Sequence, residues 1–137
     1  MTDVIRKVSY LAMDVADKPG EAARVLTALS QAGVNLLAFS GFPRGRRSQL
    51  DFIPEDVELF RKALSLAKLK VQAKKTGFLV QGDDRQGAVA GLLQKLADAS
   101  INVTAVDGVS AGGGRWGAIL WVKPQRVNKA AKVLQAV

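Results

Sequence analysis

The chain has no cysteine and no histidine among its 137 residues. Without cysteine there is no disulfide frame, no thiolate ligand and no thiol nucleophile. Without histidine the usual general base near neutral pH is missing, and so is the commonest metal ligand. No metal site and no cofactor is expected. Carboxylates and lysines are left to act, but no paired-carboxylate spacing points to a reaction, so the sequence reads as a non-enzyme. No apolar run reaches the roughly 18 residues that a membrane span needs. Met1 to Tyr10 carries Asp3, Arg6 and Lys7 and lacks the apolar stretch of a signal peptide. A cytoplasmic protein without membrane contact is expected.

What the chain does hold is 48% hydrophobic residues and a formal net charge of +8. That is enough apolar material for one good core or two small ones. The charge is uneven. Residues 1–67 hold 9 Lys and Arg against 8 Asp and Glu, whereas residues 68–137 hold 11 against 4. Such asymmetry marks either an acidic or nucleic-acid partner, or a solvated face that keeps the protein dispersed.

The strongest signal is an internal repeat. Asp17-Lys18-Pro19-Gly20 opens an apolar helical pattern that ends at Gly33-Val34-Asn35. At an offset of 67, Asp84-Arg85-Gln86-Gly87 opens a similar pattern that ends at Ser100-Ile101-Asn102. Leu26 falls on Leu93, Leu29 on Leu96, Ala32 on Ala99 and Gly41 on Gly108. Two copies make a duplicated domain, with boundaries expected at 1–75 and 76–137.

The pattern predicts the same elements twice. In the first copy Lys7–Val15 reads as a strand. A helix follows, with Asp17 as a candidate N-cap, Pro19 and Glu21 in suitable starting positions and Gly33 as its stop. Val34–Phe42 and Ser48–Ile53 read as strands around a basic turn. A helix from Pro54 carries Val57, Phe60 and Leu64 inward, and Lys70–Lys75 reads as a lysine-rich edge strand. The order β-α-β-β-α-β is the ferredoxin-like arrangement, with both helices on one face of an antiparallel sheet. The second copy repeats it with a longer hairpin at Ser110–Arg115, taken to move the offset to 70. It has no counterpart to Lys70–Lys75, so an open edge along Gly77–Gly82 is expected, covered by the first copy's last strand or by another chain. The fold class is therefore α+β, with two such units side by side in one sheet. Parity places Asp51 with Ile119 and Trp121 on the face away from the helices, and an exposed Ile and Trp there suggest a homodimer contact.

A strand, then Asp-x-Pro-Gly, then a helix ending in Gly-Val-Asn resembles the ACT domain. The first copy carries Asp17-Lys18-Pro19-Gly20 and Gly33-Val34-Asn35. The second keeps Asp84, Gly87 and Asn102 but has Gln86 in place of the proline. Together the copies cover nearly the whole chain, as in a small stand-alone tandem ACT protein without an attached enzyme. The resemblance implies a regulatory module that binds a small amino acid at the junction of its units. The loop before one unit's first helix and the Asn that begins the other unit's second strand would hold it. One site would then join Asp17, Lys18 and Gly20 to Asn102, and the other Asp84, Arg85 and Gly87 to Asn35.

The residue chemistry agrees with that role. Helix N-terminal N–H groups suit a carboxylate, an Asp suits an ammonium, and an Asn amide offers a donor and an acceptor. The plainer readings stand beside it: Asp17 and Asp84 as N-caps, and Asn35 and Asn102 as turn residues. The expected function is a non-catalytic amino-acid sensor that signals to a protein partner or to its own oligomer. The alternatives are an adaptor that binds only protein, and an RNA-binding module stacking bases on Tyr10, Phe78, Trp116 or Trp121.

Overall fold

Residues 3–137 are described in a computed structural model. Strand β1 (Val4–Ala16) is followed by helix α1 (Glu21–Gln31), strands β2 (Leu36–Arg44) and β3 (Arg47–Pro54), and helix α2 (Val57–Leu66). Then come β4 (Lys75–Asp83), α3 (Ala88–Asp98), β5 (Ala105–Gly112), β6 (Arg115–Trp121), a short 3-10 turn (Pro124–Arg126) and α4 (Val127–Leu134). Two compact units emerge. One is Ser9–Lys75; the other is Thr76–Val137 together with the start of the chain through Val8. The boundary thus falls inside β1, and not only near residue 75.

In the first unit the hydrogen-bonded order is β2-β3-β1, and in the second it is β1-β4-β6-β5. Strand β1 serves both ladders, which is why it runs 13 residues. The Lys70–Lys75 segment is not a strand. Only Lys75 belongs to one, as the start of β4. The Gln72 N–H still donates to the Ala12 carbonyl at 2.9 Å, but one bond does not make a ladder. The edge of β4 expected to be open is taken by β1. Val137 adds to this end of β1, donating to the Ile5 carbonyl at 2.9 Å and accepting from Lys7 N–H at 3.2 Å.

Alternation along the strands builds a separate core in each unit. Leu11, Met13, Val15, Leu50 and Phe52 turn toward α1 and α2, meeting Val25, Leu29, Phe60 and Leu64. Ile5, Phe78, Val80, Ala118 and Leu120 meet Leu92, Leu96, Ala130 and Leu134 of α3 and α4. The opposite parity is also covered: Ile119 and Trp121 are only 6% and 4% exposed. The expected contact surface is thus closed. Ile119 sits directly across the ladder from buried Leu79. The Trp121 indole packs where Gly77 has no side chain, since a Cβ there would lie 3.3 Å from its ring.

Register refines the repeat. Leu11 pairs with Phe52, and Phe78 with Leu120. Strands β3 and β6 are therefore offset by 68, not 70. One extra residue enters at the irregularity between Ser110 and Gly112. The other two lie after β6, because Phe60 and Leu64 match buried Ala130 and Leu134 at 70. Both offsets are even, so the assignment of faces survives. The hairpin closes through Gly113 and Gly114, with φ of 61° and 75°. Two positive φ values match the twist of a two-residue hairpin, and glycine accepts them without a Cβ clash.

Candidate functional site

Each unit has a cleft at the N-terminal end of its first helix. The first has a volume of about 330 Å³ and is lined by Asp17, Lys18, Glu21, Phe39, Phe42 and Ser48, among others. The second, about 280 Å³, is lined by Asp84, Arg85, Gly87, Val89, Ser110 and Trp116, among others. Gly41 lines the first and Gly108 the second. A Cβ at either would press within 3.2 or 3.3 Å of Leu50 or Val89, so both positions need the smallest residue.

The aspartates are not N-caps. Gly20 and Gly87 hold those positions in left-handed conformation, and among the described residues no side chain caps α1 or α3. By contrast, Asp56 caps α2 by accepting from Leu59 N–H at 3.1 Å. Asp17 instead accepts from the Ser48 hydroxyl at 3.0 Å, and Asp84 from the Ser110 hydroxyl at 2.9 Å. The serines come from different strands, β3 and β5, so this bond is made twice by different routes. Each carboxylate keeps further lone pairs for an ammonium. The uncapped first turns of α1 and α3 present backbone N–H groups, which favour an anion.

Of the residues expected from sequence, Asp17, Lys18, Asp84, Arg85 and Gly87 line clefts, and Gly20 starts the helix beside one. Asn35 and Asn102 line neither cleft. Asn35 is exposed and donates to Glu55 at 3.3 Å, while its carbonyl accepts from Glu55 N–H at 3.0 Å. Asn102 is exposed before β5.

Asp3 was missed by sequence reasoning. Its two oxygens accept from Arg85 at 2.8 and 2.9 Å, and Oδ1 also accepts from the Trp116 indole at 3.0 Å. The Arg85 guanidinium lies 5.9 Å from the Trp116 ring centre, within cation–π reach. The hydrogen bond from Arg85 is the main cause holding the Asp3 carboxyl below its ordinary 3.8, against burial, which pushes it up. A depressed carboxyl contributes stability above its ordinary value and loses it as pH falls through the folded one. The stability gap between wild type and Asp3→Asn should therefore be constant from neutral pH to about 4 and close below that. Urea midpoints measured across this range check it; a gap that does not shrink as pH falls below the ordinary value would contradict it.

Of the four aromatics proposed to stack bases, three are inside: Phe78 is 0% exposed, Trp116 4% and Trp121 4%, and Tyr10 is half-buried. The RNA-module reading loses most of its platform. Among the described residues, no group of His, Cys, Asp or Glu could hold a metal ion, and no helix is long and apolar enough to cross a membrane.

Residues 9–68 match the family described as ACT domain. No curated protein matches the sequence. Among solved structures, the chain is similar to protein BT0572 from Bacteroides thetaiotaomicron, at 18% identity over 97% of this chain and 88% of that one, with a TM-score of 0.77. It is also similar to the ligand-free regulatory subunit of aspartate kinase from Thermus thermophilus, at 17% identity, 98% and 95% coverage and a TM-score of 0.67. The corresponding regulatory subunit from Thermus flavus matches at 18% identity, 98% and 95% coverage and a TM-score of 0.63. At these identities the likeness is one of fold. The match to the ACT domain is thus confined to residues 9–68, and the fold of the chain resembles that of these solved structures.

Proposed function

We propose that the chain is a non-catalytic regulatory protein, a tandem of two ACT units that binds a small amino acid and passes its occupancy to a protein partner or to its own oligomer. A cytoplasmic setting suits that role. The observation that carries the reading is the cleft within the ACT-matched stretch, where Asp17 and Lys18 stand together beside an uncapped helix start. A zwitterion needs an acceptor for its ammonium and a cation or N–H groups for its carboxylate. Asp17 supplies the first; Lys18 and the first turn of α1 supply the second. Phe39, Phe42 and Leu50 give an apolar wall for a side chain.

A thermal-shift screen against the twenty common amino acids tests this, because a ligand of the folded state raises stability by mass action. At least one should raise the melting temperature. Calorimetric titration with that amino acid should weaken by about 1.5–3 kcal/mol in Asp17→Ala, as for a hydrogen bond to a charged group. No shift with any of them moves the reading to a protein-binding adaptor. The carry-over of Asn35 and Asn102 as ligand contacts is a separate proposal with its own variants. Unchanged affinity in both Asn35→Ala and Asn102→Ala removes them from the site.

A further inference from the structure

We infer that the two clefts are not equivalent: Asp3 acts as a built-in competitor in the second, withdrawing Arg85 from ligand binding, so that the chain takes one amino acid in the Asp17 cleft and none in the Asp84 cleft. This rests on the amino-acid-binding reading above. Arg85 is the repeat counterpart of Lys18. Among the described residues nothing bonds the exposed Lys18 ammonium. Arg85 is held on both terminal nitrogens by Asp3 and gives a further bond to the Asp83 carbonyl at 2.9 Å. A carboxylate of the chain thus does to Arg85 what a ligand carboxylate would do to Lys18.

Three positions of the second unit differ from the first in the direction that admits Asp3. The ladder pair Val15 with Ser48 becomes Gly82 with Trp116. Val15 is a buried core residue, whereas a Cβ on Gly82 would collide with the Asp3 carboxylate. Glycine is therefore what leaves room for it. Ser48 is replaced by Trp116, whose indole N–H points to Asp3 at 3.0 Å. Lys18 is replaced by Arg85, whose planar fork matches a carboxylate on two atoms, which a lysine ammonium cannot do. One change opens the space and two supply donors. The Asp3 side chain ends only 11% exposed, so an incoming carboxylate would have to displace a bidentate partner already in place.

The test is an amide-resolved NMR titration of the full chain with each of the twenty common L-amino acids at millimolar concentration. In the wild type, the amino acid that binds should shift the amides of Asp17–Ala22 and leave those of Arg85–Val89 in place. In Asp3→Ala the same amino acid should shift both sets. Asp3→Asn, which keeps the side-chain size, is the second variant if Asp3→Ala does not fold, and it should give a weaker response of the same kind. Wild-type shifts in both clefts would overturn the inference while leaving the amino-acid reading intact. So would a folded Asp3→Ala whose second cleft stays silent. No response at either cleft, in wild type and variant alike, would overturn the amino-acid reading itself.

Discussion

Replacing Phe60 by alanine is expected to lower the unfolding free energy by about 3–5 kcal/mol, the largest single-residue effect we predict. Phe60 has 0% exposure and projects from α2 into the first unit's core. Its ring centre is 5.3 Å from that of Phe52 at a tilt of 50°, and Phe52 is in turn 5.3 Å from Phe39 at 55°. Removing the ring loses its transfer free energy, opens a cavity and breaks a tilted aromatic contact worth about 0.5–1.5 kcal/mol. Collapse cannot repair much of this. Ala63 and Leu64 are fixed on the same helix, and Phe52 is fixed in a strand paired on both sides. Phe60→Leu should recover most of the loss, since it keeps much of the volume. Urea denaturation of the three proteins checks the order. A loss below about 1 kcal/mol for Phe60→Ala would mean that the site relaxes, contrary to the packing described.

The repeat made much of this legible. Both first helices and the inward stripes of Val25, Leu29, Leu92 and Leu96 follow the 3.6-residue period. Sheet faces were readable because the true offset of 68 and the assumed 70 have the same parity. The missing last strand was a harder case. Lys70–Lys75 has strand-like composition, but strand formation depends on a partner, and composition does not tell which segment takes that edge. Strand β1 filled it for the second unit, far away in sequence. Ile119 and Trp121 were assigned to the right face and the wrong environment, because alternation gives direction and not what lies above it. The plainer reading of the aspartates as N-caps is the one the structure overturns, because Gly20 and Gly87 hold those positions. An N-cap and an acceptor for a serine from another strand have the same local sequence, and only the partner separates them. Asp3 was out of reach: its contacts with Arg85 and Trp116 span 82 and 113 residues, and one charged residue before a strand has no period to read.

Gly82→Val should destabilise the protein by about 1–3 kcal/mol, even though it restores the residue that the first unit carries at this place. Two effects favour valine. It is the better strand residue, on a scale spanning about 1 kcal/mol, and losing glycine's unfolded-state freedom adds about 0.4–1 kcal/mol. In the first unit they prevail, and Val15 is a buried part of the core. At Gly82 the new Cβ would overlap the Asp3 carboxylate and approach the Asp3 Cα to 3.2 Å. The carboxylate can swing away; the backbone beside it can give only by shifting the start of β1. Once Asp3 leaves, the Trp116 indole N–H loses its acceptor in a residue only 4% exposed, and a buried donor left unpaired costs about 1–3 kcal/mol. The overlap and the orphaned donor together outweigh the gain in propensity. The double variant Gly82→Val with Trp116→Ser, which rebuilds the first unit's ladder pair, removes the orphaned donor and should be less destabilised than the sum of its parts. Urea midpoints for the two single variants and the double give this coupling directly. A double variant whose loss equals the sum would mean that Gly82 and Trp116 do not act through the same carboxylate.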